Sequence, residues 1–408
     1  MKAIAVKASL FINYFVFAIL LNSVGIVILK SQKVYGVDEV AASTLELFKD
    51  LPIAIISFLV ASFLPKMGYK KAMLIALGLV SMACIGMYFG NSFLWAKILF
   101  ASVGASFALI KVSVYASVGL VTENEKQHNS LMSSIEGVFM FGIALAYFLF
   151  PAFNSSTNQD AWLNVYWVLA ALALLSFLFL VYAPFEKPMI ADEKSNLLDD
   201  FLAMFKLVVK LLVIVFVISA FLFVMIEQGI MTWLPTFNDR VLELPENLAI
   251  MMASILAVSL GIGRLLAGFL SNYFNWFWIL IVCLLLAMLM VYFVLPLAVG
   301  SKISGVETLS DIPLLGYAFP IVGLFIAPIY PLLNSVILSA LPKTLHSHMS
   351  GLIIIFSAIG GTLGSRIVGI LFKEVGAAEA FSYTLIPMSL LLVAIVILKR
   401  LTVKKVHE

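Results

Sequence analysis

Two opposite charges, Lys111 and Glu136, each stand alone inside a long apolar run of the sequence. The polar turn 122–126 lies about midway between them, so two helices joined by that turn would hold both charges at nearly the same depth of a bilayer. An ionised side chain at that depth costs several kcal/mol unless it is paired or wetted. The spacing therefore predicts a polar cavity inside a membrane, with the rest of the chain as its wall.

As a pair, the Lys111 ammonium and the Glu136 carboxylate would neutralise each other at a site of low dielectric constant. A solute or a proton can compete for either partner, and protonation of Glu136 would release Lys111. We therefore predict that Lys111 binds a substrate and that Glu136 couples a conformational change to a proton. The alternative is a permanent structural ion pair, although such pairs are costly to keep for stability alone.

Three more charges, Glu46, Lys49 and Asp50, share one helix face by their i, i+3 and i+4 spacing. They fall in the outer third of their apolar segment, where side chains reach water, and Lys97 can join them. One interpretation is a network that is either solvated or pairs across a gate. The other assigns Glu46 and Asp50 to coupling, as part of a proton path.

In the second half of the chain, Glu227 and Arg366 again stand at matched depth in their apolar segments. They are predicted either to brace one bundle or to act as a substrate clamp or coupling pair. The interior charges then balance, with Glu46, Asp50, Glu136 and Glu227 against Lys49, Lys97, Lys111 and Arg366. An even balance favours a neutral polar solute, although a released Lys111 can bind one carboxylate.

Amide groups and an aromatic platform are suited to holding a sugar in a site of this kind. The predicted substrate-binding residues are Asn22, Lys111, Tyr115, Gln228, Trp233, Tyr330 and Asn334. Taken singly, each of them can equally be a packing residue or a polar contact between helices.

The composition excludes a soluble domain, because 63% of the 408 residues are hydrophobic, 12% are charged and the mean hydropathy is +1.12. Soluble proteins average roughly half apolar and a quarter charged residues. The net charge of +3 says little about partners, but the lysines are scattered along short loops and form no stripe, which argues against a nucleic-acid partner. Cys84 and Cys283 lie in apolar runs as small buried residues. His346 and His348 lack a third ligand, so we expect no metal and no cofactor.

Twelve segments are long and apolar enough to cross a bilayer, which needs about twenty residues. They are 8–29, 42–63, 71–89, 93–120, 127–150, 161–183, 207–234, 246–270, 274–297, 312–341, 346–372 and 378–398. The longest polar interruption falls between the sixth and the seventh. It predicts bundles at 1–183 and 207–408, a linker at 184–206 and a short C-terminal tail.

Lysine and arginine are concentrated in the loops on the side that carries both termini. That side holds Lys2, Lys7, Lys66, Lys70, Lys71, Lys126, Lys187, Lys194, Lys206, Lys343, Lys399, Arg400, Lys404 and Lys405, and the other holds Lys30, Lys33, Arg240, Lys302 and Lys373. The bias predicts a multi-pass protein of the cytoplasmic (inner) membrane with both termini in the cytoplasm.

The two halves also repeat in sequence. The stretch 61–68 ends the second segment and the stretch 267–274 ends the eighth, with Ala, Phe and Leu in the same places. The stretch 263–272, GRLLAGFLSN, resembles the loop motif of the major facilitator superfamily, and 64–71 is its first-half copy. The family's usual Asp in this loop is Pro65 in one copy and Asn272 in the other. The basic residues Lys70, Lys71 and Arg264 remain, and we predict that they act in gating by binding the C-terminal carbonyls of helices. These basic residues can equally do no more than set the topology of the chain.

Two further stretches are similar to the fucose/glucose/galactose–proton symporter branch of that superfamily. They are 227–234, EQGIMTWL, and Pro328-Ile329-Tyr330-Pro331 followed by the glycines of 351–364. The branch favours a coupling role for Glu227. Members of the branch carry an acidic residue in the first helix and another in the fourth. In this chain the first segment has Asn22 and Ser23 instead of an acid, and Lys111 stands near the position of the acid in the fourth.

The sequence thus predicts an all-α membrane protein of twelve transmembrane helices, in two six-helix bundles related by pseudo-two-fold symmetry. We expect a monomeric secondary transporter that works by alternating access on a small polar solute, in the first place a sugar moved with a proton. The alternatives are an exporter, or a carrier of a small organic anion or amino-acid-like compound that uses Lys111. A receptor or sensor built on the same fold would be expected to carry a long soluble domain. The sequence has no ATP-binding or hydrolase motif, so we do not expect an enzyme.

Overall fold

The computed structural model describes residues 2–122, 125–155, 157–184, 206–300, 306–342 and 345–406. Eleven helices of these ranges are long and apolar enough to cross a membrane. They correspond to eleven of the twelve predicted segments. The other predicted segment, 42–63, is the helix Thr44–Met67, in which several side chains lie outside the described set. An all-helical fold satisfies backbone hydrogen bonds within each span, as lipid requires.

We number the spans from first to twelfth in chain order. They are Lys2–Asn22 continued by Val24–Tyr35; Thr44–Met67; Tyr69–Gly90; Phe93–Leu120; Glu125–Leu149; Val165–Tyr182; Leu211–Arg240; Glu246–Leu270; Trp276–Leu289 continued through Met290–Val294 to Leu295–Gly300; Leu314–Ala340 in several pieces; His346–Glu374; and Leu385–Val406, which the short helix Ala377–Ala380 precedes.

Two compact units divide the chain. The first unit holds the first six spans, and the second holds the last six together with the short segment 38–43. The assignment of 38–43 corrects the prediction, which placed these residues in the first bundle. The predicted borders of the linker, 184–206, stay a prediction because residues 185–205 lie outside the described chain.

The same pattern of helix packing appears inside each unit. In the first unit, the first span packs on the fifth, the second on the fourth and the third on the sixth. In the second unit, the seventh packs on the eleventh, the eighth on the tenth and the ninth on the twelfth. The internal repeat seen in the sequence is therefore a repeat of structure, as the predicted fold class requires.

Glycine permits the closest of these contacts, because it lets two backbones approach. A Cβ atom at Gly364 of the eleventh span would lie 2.2 Å from the carbonyl oxygen of Met225 in the seventh. In the first unit, a Cβ at Gly104 would lie 2.0 Å from the carbonyl oxygen of Lys49. Glycine thus allows the eleventh span to lie close to the seventh.

Several spans are interrupted where the sequence predicts bends or polar breaks. The first span breaks at Ser23, between two helices that end at Asn22 and begin at Val24. The tenth span changes to a 3₁₀ turn at Phe319–Ile321 and restarts after Pro328. Proline cannot donate to the preceding turn, which explains the breaks in the tenth span.

Candidate functional site

A hydrogen-bonded chain of three side chains lies inside the first unit. Tyr115 of the fourth span donates to Glu136 Oε1 of the fifth at 2.5 Å. The Tyr14 hydroxyl of the first span lies 3.2 Å from the Tyr115 hydroxyl and 3.4 Å from the same carboxylate oxygen. Tyr14 is buried, and its ring packs on Phe139 with centroids 4.9 Å apart. The three spans thus hold one carboxylate against two neutral phenols.

Lys111 lies one helical turn before Tyr115. Its ammonium is 6.0 Å from the Tyr115 ring centroid and 5.9 Å from that of Phe107, distances at which a cation is attracted by a ring face. Tyr115 thus contacts both Lys111 and Glu136. The direct pairing of Lys111 with Glu136 stays a prediction. We call Tyr14, Lys111, Tyr115 and Glu136 the first cluster.

A second cluster lies inside the second unit, around Glu227 of the seventh span. Arg264 of the eighth span donates to Glu227 Oε1 at 3.0 Å, and the carboxylate side chain is 9% exposed. This contact corrects two predictions. Arg264 binds a carboxylate and not the carbonyls of a helix end, and Glu227 pairs with Arg264 and not with Arg366.

Tyr330, Asn334 and Ser357 complete the second cluster. The Tyr330 hydroxyl lies 3.2 Å from Ser357 Oγ, and its ring stacks on Phe223 with centroids 5.5 Å apart. It also interacts with the Asn334 side chain and lies within electrostatic range of Glu227 and Arg264. Asn334 Oδ1 is buried and has no hydrogen-bond partner among the described residues. A buried amide oxygen of this kind is suited to a solute hydroxyl.

Arg366 instead holds the segment 38–43. Its guanidinium donates to the Val40 carbonyl at 2.5 Å, and Lys373 donates to Asp38 Oδ2 at 2.9 Å. Arg240 pairs with Glu39. The Lys373 hydrogen bond, followed by one from the Ala41 amide, holds the pKa of the Asp38 carboxyl below its usual range. Arg366 thus contacts residues 38–43, and its predicted coupling role stays a prediction.

Three predicted substrate residues have other or open roles. Trp233 is fully buried, and its indole donates to the Ser365 carbonyl at 2.9 Å while its ring packs on Phe372. It is a packing residue, which corrects the prediction of an aromatic platform. The amide nitrogen of Asn22 donates to the Ala18 carbonyl at 2.9 Å, where its helix ends. Gln228 is half-buried beside Glu227, and its role stays a prediction.

The charges on the second span are buried. Lys49 pairs with Glu46 and lies 3.5 Å from Asp50, and the exposed fractions of Glu46, Lys49 and Asp50 are 0%, 4% and 8%. The solvated network expected at this position is therefore wrong, and the gate-pairing network stays a prediction. The Lys97 ammonium lies over the rings of Phe93 and Phe48. The coupling role of Glu46 and Asp50 stays a prediction.

Lys70 occupies the helix end at which it was expected. Its ammonium donates to the Ala183 carbonyl at 2.7 Å and to the Val181 carbonyl at 2.8 Å, at the C-terminal end of the sixth span. A cation at that position complements the helix dipole. Lys71 is exposed. The side chains of His346 and His348 lie outside the described set, and the described residues contain no cluster of three or more metal-ligating side chains.

Tyr14, Phe223 and Ser357 belong to the clusters but were missed from the sequence. Each lies within an apolar run and carries no charge, so a search for opposite charges at equal depth could not find it. The aromatic character of Tyr14 and its place in the first span were the only available signals.

Apolar spans that enclose ionised clusters define a multi-pass integral membrane protein. The family model of the Major Facilitator Superfamily matches residues 8–403, and the chain belongs to this superfamily of transporters. No curated protein sequence matches the chain.

Solved structures of the superfamily share the fold at low sequence identity. A bacterial homologue of the human lysosomal transporter Spinster, inward-facing and unoccupied, aligns with a TM-score of 0.75 at 14% identity, over 99% of this chain and 97% of that one. A D-xylose–proton symporter aligns at 0.71 and 16%, over 98% and 97%. A variant of the E. coli fucose–proton symporter aligns at 0.63 and 16%, over 98% and 99%. The predicted resemblance to the superfamily is confirmed.

Proposed function

We propose that this chain is a secondary active transporter that moves a small polar solute, in the first place a sugar, together with a proton by alternating access. We place it in the cytoplasmic membrane as a monomer with both termini in the cytoplasm, as the lysine and arginine bias of the loops predicts. Two of the structural relatives described above are sugar–proton symporters, which supports this choice.

The observation that carries the proposal is the contact of Tyr115 and Tyr14 with Glu136. A phenol can donate to a carboxylate, and its oxygen can accept from a carboxylic acid. Glu136 can therefore gain or lose a proton while it keeps hydrogen-bonded neighbours. The Lys111 ammonium lies 6.0 Å from the Tyr115 ring centroid, so a change in the charge of Glu136 is proposed to act through Tyr115 on the ammonium that binds substrate.

The second cluster supports a neutral solute. Glu227 and Arg264 compensate each other, which leaves Tyr330, Ser357 and Asn334 as uncharged hydrogen-bonding groups around one aromatic ring. Hydroxyl and amide groups beside a ring are the chemistry that recognises a sugar hydroxyl pattern. Glu227 is proposed to position these groups through Arg264.

Proton coupling is tested with purified protein in proteoliposomes that carry an imposed pH gradient. The solute is first chosen by thermal-shift screening of neutral sugars, nucleosides, amino acids and dicarboxylates. We expect a neutral sugar to stabilise the protein most, and its uptake to exceed equilibrium only when the gradient is present. Solute uptake that is the same with and without the pH gradient would contradict proton coupling.

The role of Lys111 is tested by Lys111→Ala, with Lys97→Ala as a matched control. Both lysines lie on the fourth span over aromatic rings, but Lys97 is outside the first cluster. We expect Lys111→Ala to abolish or uncouple uptake in a folded protein and Lys97→Ala to leave uptake unchanged. Equal behaviour of the two variants would remove Lys111 from the mechanism.

A second candidate function is export, or transport of a small organic anion or amino-acid-like compound, through Lys111. The position of the ammonium over two rings favours it, because an anion can approach such a cation from the side away from the rings. Stabilisation by dicarboxylates ahead of neutral sugars in the same screen would promote this candidate.

A further inference from the structure

A cavity of about 270 Å³ lies in the second unit, among the seventh, eleventh and twelfth spans. Met225 and Ile226 line it from the seventh span, and residues between Gly364 and Leu371 line it from the eleventh. Its third wall runs from Ala380 to Pro387, where the chain enters the twelfth span. Gly364 and Ala380 give the cavity depth, because their small side chains leave space between the bulkier neighbours.

The lining offers almost nothing to a polar ligand. Its residues are apolar except for Tyr383 and Thr384. The Thr384 hydroxyl is already used, since it donates to the Phe381 carbonyl at 2.6 Å within its own turn. A sugar or an ion would lose its hydration here without gaining partners, so the cavity is not suited to the solute proposed above.

The mouth of the cavity opens on the apolar surface of membrane-crossing helices. Ile367, Tyr383 and Ile386 line the cavity and are 39%, 41% and 59% exposed. All three lie in segments that are apolar enough to cross a bilayer, so their exposed faces meet lipid chains. Tyr383 lies near the start of its segment, where a tyrosine hydroxyl can reach the polar boundary of the bilayer.

We propose that this cavity is a phospholipid-binding site that holds one acyl chain from the leaflet at which the eleventh span ends, with the ester region of that lipid at Tyr383. The continuity between the apolar lining and the lipid-facing surface selects this occupant. A helix from a second copy of the chain is about 10 Å wide and would not enter a cavity of this volume. The site lies beside Met225 and Ile226, directly before Glu227, but its occupant does not depend on the proposed transport function.

The test uses the full chain in nanodiscs of palmitoyl-oleoyl phosphatidylcholine doped with a phosphatidylcholine that carries a diazirine on one acyl chain. After illumination, adducts are mapped by peptide mass spectrometry. We expect adducts within 364–371 and 380–387 to be several-fold more abundant than adducts around Val393, which is 57% exposed on the twelfth span but does not line the cavity. Even labelling of all exposed positions would mean ordinary contact with bulk lipid and would overturn the proposal.

Filling the cavity supplies the second half of the test. Leu371→Trp should remove most of the adducts in the two cavity segments, whereas Val393→Trp should leave them unchanged. If Leu371→Trp does not fold, Ile386→Trp narrows the mouth at an exposed position that tolerates a larger side chain. Cavity adducts that persist in a folded filled variant would overturn the site, as would their displacement by a polar solute.

Discussion

Each unit holds a carboxylate on a membrane-crossing helix, but the partners of the two carboxylates differ. Glu136 accepts from the neutral phenols of Tyr115 and Tyr14. Glu227 accepts from the guanidinium of Arg264. The first cluster draws on the first, fourth and fifth spans, and the second draws on the seventh, eighth, tenth and eleventh. The two carboxylates lie on spans that are not equivalent in the repeat, and their partner residues give each cluster its own chemistry.

Because their hydrogen-bonding partners differ, we expect Glu136 and Glu227 to have different functions. Protonation of Glu227 would leave the Arg264 guanidinium without its anion inside the membrane, which is costly. Protonation of Glu136 leaves behind two phenols, which bond to either form of the group. The comparison therefore favours Glu136 as the proton carrier and Glu227 as a positioning residue.

The strongest way to break this comparison is Glu136→Gln, which mimics the protonated carboxyl. We expect it to abolish uphill accumulation entirely while counterflow exchange of the same solute continues, because binding groups remain and the proton step is lost. Solute uptake into proteoliposomes, measured with and without a pH gradient, checks this. Undiminished accumulation would remove Glu136 from coupling.

Glu227→Gln should fail in another way. Removing Glu227 leaves the Arg264 guanidinium without its anion. Because the Arg264 side chain is 36% exposed, the cost is below the roughly 3–5 kcal/mol of a fully buried pair. We expect a clear loss of thermal stability in detergent, and recovery of most of it when Arg264→Gln is added. A stable single variant that loses only proton coupling would show that the two carboxylates share one function.

Tyrosine variants sharpen the comparison with smaller effects. Tyr115→Phe removes one hydrogen bond to Glu136, and we expect proton-driven uptake to fall by about tenfold, the loss typical for a bond to a charged group. Tyr330→Phe removes the contact with Ser357 and should weaken solute affinity without altering the dependence of uptake on pH. The pH profile of uptake and the apparent solute affinity, measured for both variants, separate the two effects. The comparison would be contradicted if Tyr330→Phe shifted the pH profile as Tyr115→Phe does.

Comparing how far each charged residue lies from the end of its apolar segment predicted much of the first cluster but little of the second. Lys111, Tyr115 and Glu136 lie on two consecutive helices joined by a short turn, so their nearness follows from counting residues along the chain. Arg264 and Glu227 also lie on consecutive helices, but the side chain of Arg264 reaches from nearer its helix end, which residue counting cannot anticipate.

The remaining errors have a similar physical origin. Arg366 was expected at Glu227, but it binds residues 38–43, which lie far away in sequence. Trp233 sits in a helix that is apolar on every side, so no periodicity showed which face is buried. The fold class was predictable because the hydropathy, the polar loop at the midpoint and the sequence repeat all indicate two bundles of six helices. The partners of individual side chains were not predictable, because they depend on how the helices are rotated about their axes.

The smallest expected effect comes from the pair of Asp38 with Lys373, whose side chains are 45% and 46% exposed. Asp38→Asn keeps the helix cap at Ala41 but removes the charge, and Lys373→Gln removes the partner. Because water and salt screen exposed pairs, we expect neither variant to change thermal stability measurably at neutral pH. The lowered pKa of Asp38 means that its contribution is present above the unfolded pKa of about 3.9 and is lost as pH falls through the lower folded value. Thermal unfolding measured between neutral and strongly acidic pH, at low and high salt, checks both points. A destabilisation as large as that of Glu227→Gln would mean that the loss of an ion pair lowers stability equally whether or not the pair is buried. The contrast between Glu136 and Glu227 would then lose its physical basis.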